Sequence, residues 1–365
     1  MDRRVWSHFN WWFFLLILGI SILGVVLIYS ANHGRPEAFF RNLYIKQIYW
    51  LLYGLAALMA AVVLDYRTFS RYAYLIYTLT LIGLVLVLVF GPTVSGSRRW
   101  LHLGPFTLQI SEVAKLALVI ALAKYFEAGK TQGPYHLKDL FVPALLTGAY
   151  AWLIYKQPDL GTAMIIVGIF FIFVLAVELE GQTLLRLIGT CVVLAPLSWF
   201  FLKDYQKARL LTFFNQEMDP LGAGYQSIQS KIAIGSGGFW GKGLLAGTQS
   251  RLNFLPEKHT DFIFSVYAEE TGFIGAVILL TLYLLLILKG LNIAYRAADR
   301  FGLFLALGIT GYLSFYVIYN IGMTVGIFPI TGIPLPLFSY GGSSLLTTFF
   351  ALGLLLNVEA RRTLL

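Results

Sequence analysis

Ten apolar segments constrain the fold of this chain more than any other feature of its sequence. A helix that crosses the roughly 30 Å hydrocarbon core of a bilayer needs about 20 apolar residues. Only 12% of the residues are charged, about half the fraction in a soluble domain. A soluble protein would need polar outer helices to cover these apolar segments, and the sequence contains none. We therefore predict an all-α membrane protein of about ten transmembrane helices with one long extracellular or periplasmic loop at residues 203–261. The segments, each long enough or nearly so, are residues 11–30, 47–64, 71–90, 109–126, 140–156, 161–178, 184–202, 262–288, 301–325 and 337–357.

The placement of lysine and arginine predicts the orientation of the chain. Thirteen of them lie on the side of the N-terminus, against six in the short loops of the other side. Cytoplasmic loops carry this excess, so both termini are predicted to be cytoplasmic. Residues 1–365 are interpreted as a single domain. Aromatic residues among the charges of the 203–261 loop predict short amphipathic helices on the membrane surface.

Several classes of site are not indicated by the sequence. The net charge of +9 fits basic loops beside anionic lipid and does not by itself indicate a nucleic-acid partner. The single cysteine, Cys191, excludes an internal disulfide, and the five histidines lack metal-ligand spacing. No organic cofactor is predicted. The glycine-rich residues 235–243 depart from a phosphate loop at Ser236 and Gly243, so their glycines are expected to let backbone approach the membrane surface or a ligand.

Ionisable groups within or beside the apolar segments are costly, so each is a candidate functional residue. Glu112 and Lys115 share a helix face at i, i+3 spacing and can pair, either as a structural lock or as part of a site. Asp159 can cap the sixth segment or serve a site. Asp261, where the long loop meets the eighth segment, is also a candidate N-cap, although Phe264 three residues later completes no capping box.

The topology predicts that three of these acids, Glu112, Asp159 and Asp261, lie at the outer ends of their helices. Three acids near one membrane face indicate a polar site that opens outward. Nearby basic residues suit an anionic, lipid-borne substrate, because cations bind phosphate while a carboxylate acts as base or metal ligand. Solvated loop charges explain most of these basic residues individually, so both interpretations stay open: Arg98, Arg99, Lys203, Lys207, Arg209, Lys231, Lys242, Arg251 and Lys258.

Two further features carry expectations. Glu269 and Glu270 lie about 12–13 Å deeper than Asp261 along a helix, and adjacent residues cannot share a face, so at least one needs a polar partner within the bundle. The last outer loop, residues 328–336, is uncharged and rich in proline and glycine. Irregular backbone at membrane depth is tolerated where it lines a cavity, so we predict a re-entrant or cavity-lining segment, with a plain tight connection as the alternative.

Six motifs in order carry a family resemblance. The chain resembles the SEDS family (shape, elongation, division and sporulation), and within it the branch that serves elongation. Ile110 departs from the family pattern, which commonly has proline before the Ser-Glu pair. The motifs are residues 96–101 with Ser111-Glu112-Val113-Ala114-Lys115, Gln157-Pro158-Asp159-Leu160-Gly161-Thr162, residues 219–226, residues 233–238, Leu255-Pro256-Glu257-Lys258-His259-Thr260-Asp261-Phe262 and Ser339-Tyr340-Gly341-Gly342-Ser343-Ser344; residues 247–254 and 331–336 favour the elongation branch.

The resemblance implies a peptidoglycan glycosyltransferase of the bacterial cytoplasmic membrane that polymerises lipid II into β-1,4 glycan strands and releases undecaprenyl diphosphate. It implies a class B penicillin-binding protein and other elongation-complex membrane proteins as partners, and Asp261 as the catalytic residue. Asp261 could also hold a divalent cation, Mg²⁺ or Mn²⁺. A lipid II flippase and a non-enzymatic scaffold are the alternatives. The expected cavity residues are Glu112, Lys115, Asp159, Arg98, Arg99, Arg209, Lys258, Glu257, His259 and Ser343.

Overall fold

The computed structural model describes residues 6–33, 37–93, 97–103, 106–130, 133–216, 219, 222–252 and 254–362. Three residues of the charge count, Arg3, Arg4 and Arg35, lie outside these ranges. Gly96, Pro220, Leu221 and Asn253 of the family motifs also lie outside them.

Each of the ten apolar segments forms a helix. Within the described part of the chain, eight helices are long and apolar enough to cross a membrane. Of the other two, α8 is apolar but has 17 residues, and α6 carries the charged residues Glu112 and Lys115. In chain order the elements are α1 (Trp11–Asn32), α2 (Ala38–Arg41), α3 (Leu43–Val63), α4 (Tyr66–Arg71), α5 (Ala73–Phe90), β1 (Trp100–Leu103), β2 (Phe106–Gln109), α6 (Ile110–Glu127), a 3₁₀ turn (Leu137–Leu140), α7 (Phe141–Lys156), α8 (Leu160–Ala176), α9 (Gly181–Phe201), α10 (Asp204–Phe214), α11 (Ala223–Ser236), α12 (Thr248–Arg251), α13 (Ile263–Tyr295), α14 (Arg300–Val325) and α15 (Gly342–Arg361). The prediction of an all-α membrane protein is confirmed.

The seam between α3 and α15 is the most extensive helix contact in the bundle. Glycines on both helices make it close: a Cβ added at Gly54 would lie 2.8 Å from the Phe349 ring, and one added at Gly353 would lie 2.5 Å from the Leu58 carbonyl oxygen. Helices in lipid gain no hydrophobic drive toward each other, so close backbone approach through small residues is their main source of packing energy. This seam therefore fixes α15 firmly against α3.

The helix α9 stands at the other extreme of packing. Its large apolar side chains are exposed along its length, from Leu185 at 72% to Phe200 at 78%. Apolar side chains that face outward suit hydrocarbon, so α9 is bounded mainly by lipid. Its outer end nevertheless contributes Ser198 to a cavity described below.

The helix α13 is broken at Gly272, whose φ of 67° and ψ of −163° are not helical. The glycine-rich stretch that follows α11 fits into this break. Two of its N–H groups, those of Lys242 and Gly243, donate to the carbonyls of Glu269 and Glu270 at 3.1 and 2.9 Å. A Cβ added at Gly241 would lie 2.2 Å from the Glu270 carbonyl oxygen. The expectation that these glycines approach the membrane or a ligand is thus corrected, because Gly241 makes room for the backbone of α13.

The outer loop and a short hairpin complete the fold. Residues 203–261 contain α10, α11 and α12; their placement on the membrane surface stays a prediction. The strands β1 and β2 pair antiparallel, with Trp100 opposite Gln109, and lead directly into α6. This hairpin forms one wall of the site and was not predicted from the sequence.

Candidate functional site

Two adjoining cavities lie where the N-terminal ends of α6, α8, α13 and α15 meet. Their volumes are about 440 and 660 Å³. The smaller is bounded by the β1–β2 hairpin, α6 and the start of α15, and the larger by α8, the end of α9 and α10. Five residues line both: Arg99, Asp159, Glu257, Asp261 and Gly332. The acids predicted from three helices therefore do converge on one site.

Asp261 lies in the wall common to both cavities, two residues before α13 begins. Its N–H donates to the Glu257 carbonyl at 3.1 Å, and its own carbonyl accepts from Asn320 Nδ2 at 3.0 Å. Burial, followed by the nearby charge of Glu257, raises the pKa of Asp261 to about 7, against the opposing pull of Arg209. A carboxyl with this pKa can exchange a proton near neutral pH, as a general base must.

The turn that carries Asp261 is held by residues that follow the last outer loop. Ser339 Oγ donates to the Thr260 carbonyl at 2.6 Å, and the Tyr340 N–H donates to the His259 carbonyl at 2.9 Å. Glu257 begins the turn with a φ of 46°, a region that non-glycine residues rarely adopt. Residues 332–334 of the same outer loop line the smaller cavity, so the prediction of a cavity-lining segment is confirmed.

Asp159 caps α8 and also lies in the wall of both cavities. As the N-cap of α8 it accepts from the Thr162 N–H at 3.2 Å and from Thr162 Oγ1 at 2.9 Å. Its Oδ2 also faces Arg99 Nη1 at 3.7 Å and Gln109 Nε2 at 3.4 Å. A capping carboxylate is thereby fixed in a cavity wall with a cation beside it.

Glu112 and Lys115 pair as their spacing predicted, with 2.6 Å between Nζ and Oε1 and side-chain exposures of 9% and 2%. Lys115 also bonds the Tyr316 hydroxyl, and its Nζ lies 4.5 Å from the Tyr316 ring centroid. Glu112 and Tyr316 line the smaller cavity. Lys115 lies behind them, next to a much smaller void, and so acts on the cavity through its partners.

The predicted basic residues divide into two groups. Arg99 and Arg209 line the larger cavity; Arg99 is held by the Gln157 carbonyl at 3.2 Å and Arg209 by the Ile330 carbonyl at 3.5 Å. Arg98 instead turns back to Thr93 Oγ1 and the Leu88 carbonyl, both at 3.2 Å. Arg98 lines neither of the two cavities as described, because its guanidinium is bonded to the end of α5 and to the loop that follows it.

Lys258 and His259 are also absent from the described walls of both cavities. Lys258 is only 1% exposed. The His259 ring packs between Phe40 and Tyr340, with centroids 5.9 and 5.8 Å away. Their placement corrects the expectation for these two side chains, because the turn directs Glu257 and Asp261 into the cavity and turns residues 258 and 259 away from it.

Ser343 lies in the site and is hydrogen-bonded to strand β2 of the hairpin. It lines the smaller cavity, donates to the Thr107 carbonyl and accepts from the Gln109 N–H, each at 3.1 Å. The sequence analysis missed Gln109, Tyr316 and Asn320. Only Asn320 had a usable signal, because an amide in an apolar span is costly and demands partners.

Comparisons with known proteins agree with this architecture. The family model described as "Cell cycle protein", covering FtsW, RodA and SpoVE, matches residues 10–364. The chain is 42% identical over 358 residues to peptidoglycan glycosyltransferase MrdB of Escherichia coli strain K12, covering 96% of this chain and 93% of the relative. Stage V sporulation protein E of Bacillus subtilis strain 168 is 37% identical over 358 residues, covering 94% and 95%.

Solved structures give the same result. A chain from a study of how a peptidoglycan synthase complex coordinates polymerization and crosslinking matches with a TM-score of 0.82 and 38% identity, over 97% of this chain and 98% of that one. The rod shape determining protein RodA of Thermus thermophilus matches with a TM-score of 0.71 and 32% identity, over 97% of both chains.

Proposed function

Because this chain belongs to the FtsW, RodA and SpoVE family of cell cycle proteins, we propose that it polymerises lipid II with Asp261 as the general base. It is an integral membrane peptidoglycan glycosyltransferase. The observation that carries the residue assignment is the position of Asp261 in a wall common to two cavities. Asp159, Glu257 and Asp261 all line both cavities. Asp159 is held by the α8 cap and faces Arg99, whereas burial raises the pKa of Asp261 to about 7, so we assign the base to Asp261, with a glycosyl donor and an acceptor on either side of it.

The reaction needs one base and one set of cations. Lipid II has an α-linked diphosphate and the product is β-linked, so a single in-line displacement inverts the anomeric carbon. The acceptor 4-hydroxyl oxygen bonds that carbon as its proton passes to Asp261, and the bond to the diphosphate oxygen breaks. Arg99 and Arg209, which line the larger cavity, neutralise the charge that develops on the leaving diphosphate.

The larger cavity also suits the lipid part of a donor. Alongside its two arginines its wall includes the apolar residues Met164, Leu202 and Leu210. A polyprenyl diphosphate requires this combination of cations and apolar surface at the membrane edge. The buried Glu112–Lys115 pair underlies the smaller cavity, which favours a site closed on its inner side over the flippase alternative.

A divalent cation, Mg²⁺ or Mn²⁺, is a separate proposal. Among the described residues no group of three His, Cys, Asp or Glu side chains could hold a metal alone. Mg²⁺ is often bound by one or two carboxylates together with substrate phosphates, so Asp261 and the diphosphate would have to share it. Loss of polymer on adding a chelator, restored by Mn²⁺ or Mg²⁺, is the expected result if this holds.

The orientation and the partner are further proposals. Both termini are cytoplasmic and the cavities open to the outer face of the bacterial cytoplasmic membrane, in keeping with the excess of inner lysine and arginine. A class B penicillin-binding protein crosslinks the strand. The similar chain from a synthase complex that coordinates polymerization and crosslinking supports this partner.

Purified protein, labelled lipid II and a gel that resolves glycan polymers test the role of Asp261. Wild type should produce polymer and Asp261→Asn none. The matched control is Asp204→Asn, which removes the same charge from an exposed position of the same loop, and it should remain active. Polymer from the Asp261→Asn protein would contradict the assignment of Asp261 as the base. If wild type moves the lipid II headgroup across the membrane without making polymer, the protein is a flippase. If wild type shows neither activity, it is a scaffold.

A further inference from the structure

The helix α13 is longer than a membrane requires. Its 33 residues extend about 50 Å, whereas the hydrocarbon core is about 30 Å thick. The part after the break at Gly272, residues 273–295, is enough to cross. Residues 263–271 form a separate short helix beyond the break, and Asp261 lies just before it.

A helix separated by a break does not inherit its direction from the lower part of α13. Its direction depends on the groups bonded to it. At the end next to Asp261, Asn320 Nδ2 on α14 donates to the Asp261 carbonyl at 3.0 Å and to the Ile333 carbonyl at 2.7 Å. This amide ties the Asp261 turn to the last outer loop but leaves the far end of the short helix undetermined.

At that far end the Lys242 and Gly243 N–H groups donate to the carbonyls of Glu269 and Glu270, and the Glu269 side chain adds a second attachment. This side chain has no exposed surface, and its Oε1 accepts from the N–H groups of Thr248 and Gln249 at 2.8 and 3.0 Å. Lys242 Nζ lies 2.7 Å from the same oxygen. Lys242 also donates to Ser236 Oγ and Thr248 Oγ1 at 2.7 and 2.8 Å, which accounts for all three of its protons.

We propose that Lys242 and Glu269 are a positioning pair: they fix the short helix 263–271 to the outer loop and thereby hold Asp261 in the wall between the two cavities. The pair touches no cavity wall described for either cavity. It acts on the reaction only through the short helix. The inference rests on the proposed role of Asp261.

The same helix supplies a matched control. Near the other end of α13, Lys289 Nζ lies 2.6 Å from Glu359 Oε1, with side-chain exposures of 20% and 7%. The exposures of the Lys242 pair are 25% and 0%. The two pairs are thus alike in chemistry and burial, but only the first is attached to the short helix.

The test compares Lys242→Met, Lys242→Arg and Lys289→Met in the full-length protein reconstituted in liposomes, with kcat and KM measured for lipid II polymerisation. A carboxylate displaced by about 1 Å can lose up to about a hundredfold in rate. Lys242→Met should therefore lower kcat by between about tenfold and about a hundredfold, with KM within about twofold. Lys242→Arg should retain most of the wild-type rate. Lys289→Met should keep the kcat and KM of wild type, although the buried Glu359 loses a partner and the protein is less stable.

Hydrogen exchange of the 263–271 amides provides the second measurement. These amides should exchange faster in Lys242→Met than in Lys289→Met. If Lys242→Met does not fold, Glu269→Gln takes its place, because it keeps the acceptor for the two loop N–H groups and removes only the charge. Equal kcat in the two Lys→Met proteins, with Asp261→Asn inactive, would overturn the positioning pair alone; an active Asp261→Asn would overturn the catalytic assignment as well.

Discussion

Removing the Lys115 charge is the most direct test of how this membrane site tolerates its buried ions. In Lys115→Met the Glu112 carboxylate loses a cation at 2.6 Å while its side chain remains 9% exposed. Two unit charges at about 4 Å attract by about 4 kcal/mol at an effective dielectric constant near 20. Breaking a buried pair from one side costs about 3–5 kcal/mol, because the remaining charge is uncompensated.

The double variant Glu112→Gln/Lys115→Met should be far less destabilised than Lys115→Met. It removes both charges, and replacing a whole buried pair is often close to neutral. Denaturation in mixed micelles gives the unfolding free energies of wild type, Glu112→Gln, Lys115→Met and the double variant. The coupling energy between the two substitutions should be about 3 kcal/mol. Additive losses would refute the argument. If the double variant folds yet makes no polymer, the pair also serves the cavity.

Three other predictions concern protonation, capping and packing. A base must be deprotonated, and the pKa of Asp261 is raised to about 7, so kcat/KM should rise with pH and level off above about 7. Glu257→Gln should move this rise to lower pH. An unchanged profile would contradict the effect of the Glu257 charge on the pKa of Asp261. Asp159→Ser should keep the cap of α8, which is worth about 1 kcal/mol, and so retain thermal stability while losing polymerisation; equal loss of both would indicate capping alone. Gly241→Ala should destabilise the protein more than Gly238→Ala in thermal unfolding. Both have positive φ, but the new Cβ would lie 2.2 Å from backbone at Gly241 and meet nothing within 4 Å at Gly238.

The sequence was sufficient to predict the helices and the acids. Apolar runs report membrane spans directly, because unsatisfied backbone in lipid leaves the chain few alternatives. Glu112, Asp159 and Asp261 were identified because charge beside a span is costly. Their convergence followed from topology alone, since each lies at the N-terminal end of its helix on the same side.

Side-chain direction within a turn was not predictable. Residues 257–261 are consecutive, yet Glu257 and Asp261 face the cavities while Lys258 and His259 pack elsewhere. No periodicity applies to a turn whose first residue has a positive φ. The break at Gly272 was not predictable either. A glycine in an apolar span is usually interpreted as a packing residue, and only the position of the segment that fills the gap identifies it as a break.

The glycine seam of α3 and α15 has a mechanical consequence for the site. A Cβ at Gly353 would collide with the backbone at Leu58. The backbones of the two helices are therefore in close contact, and neither helix can slide along the other unless they first separate. Because Ser343, the second residue of α15, lies in the cavity wall, the seam also holds that side of the site in place. The opposite side includes the end of α9, whose side chains face outward along most of its length. The α9 side of the site is therefore less firmly packed than the α15 side, and we expect a bulky substrate to displace it more easily.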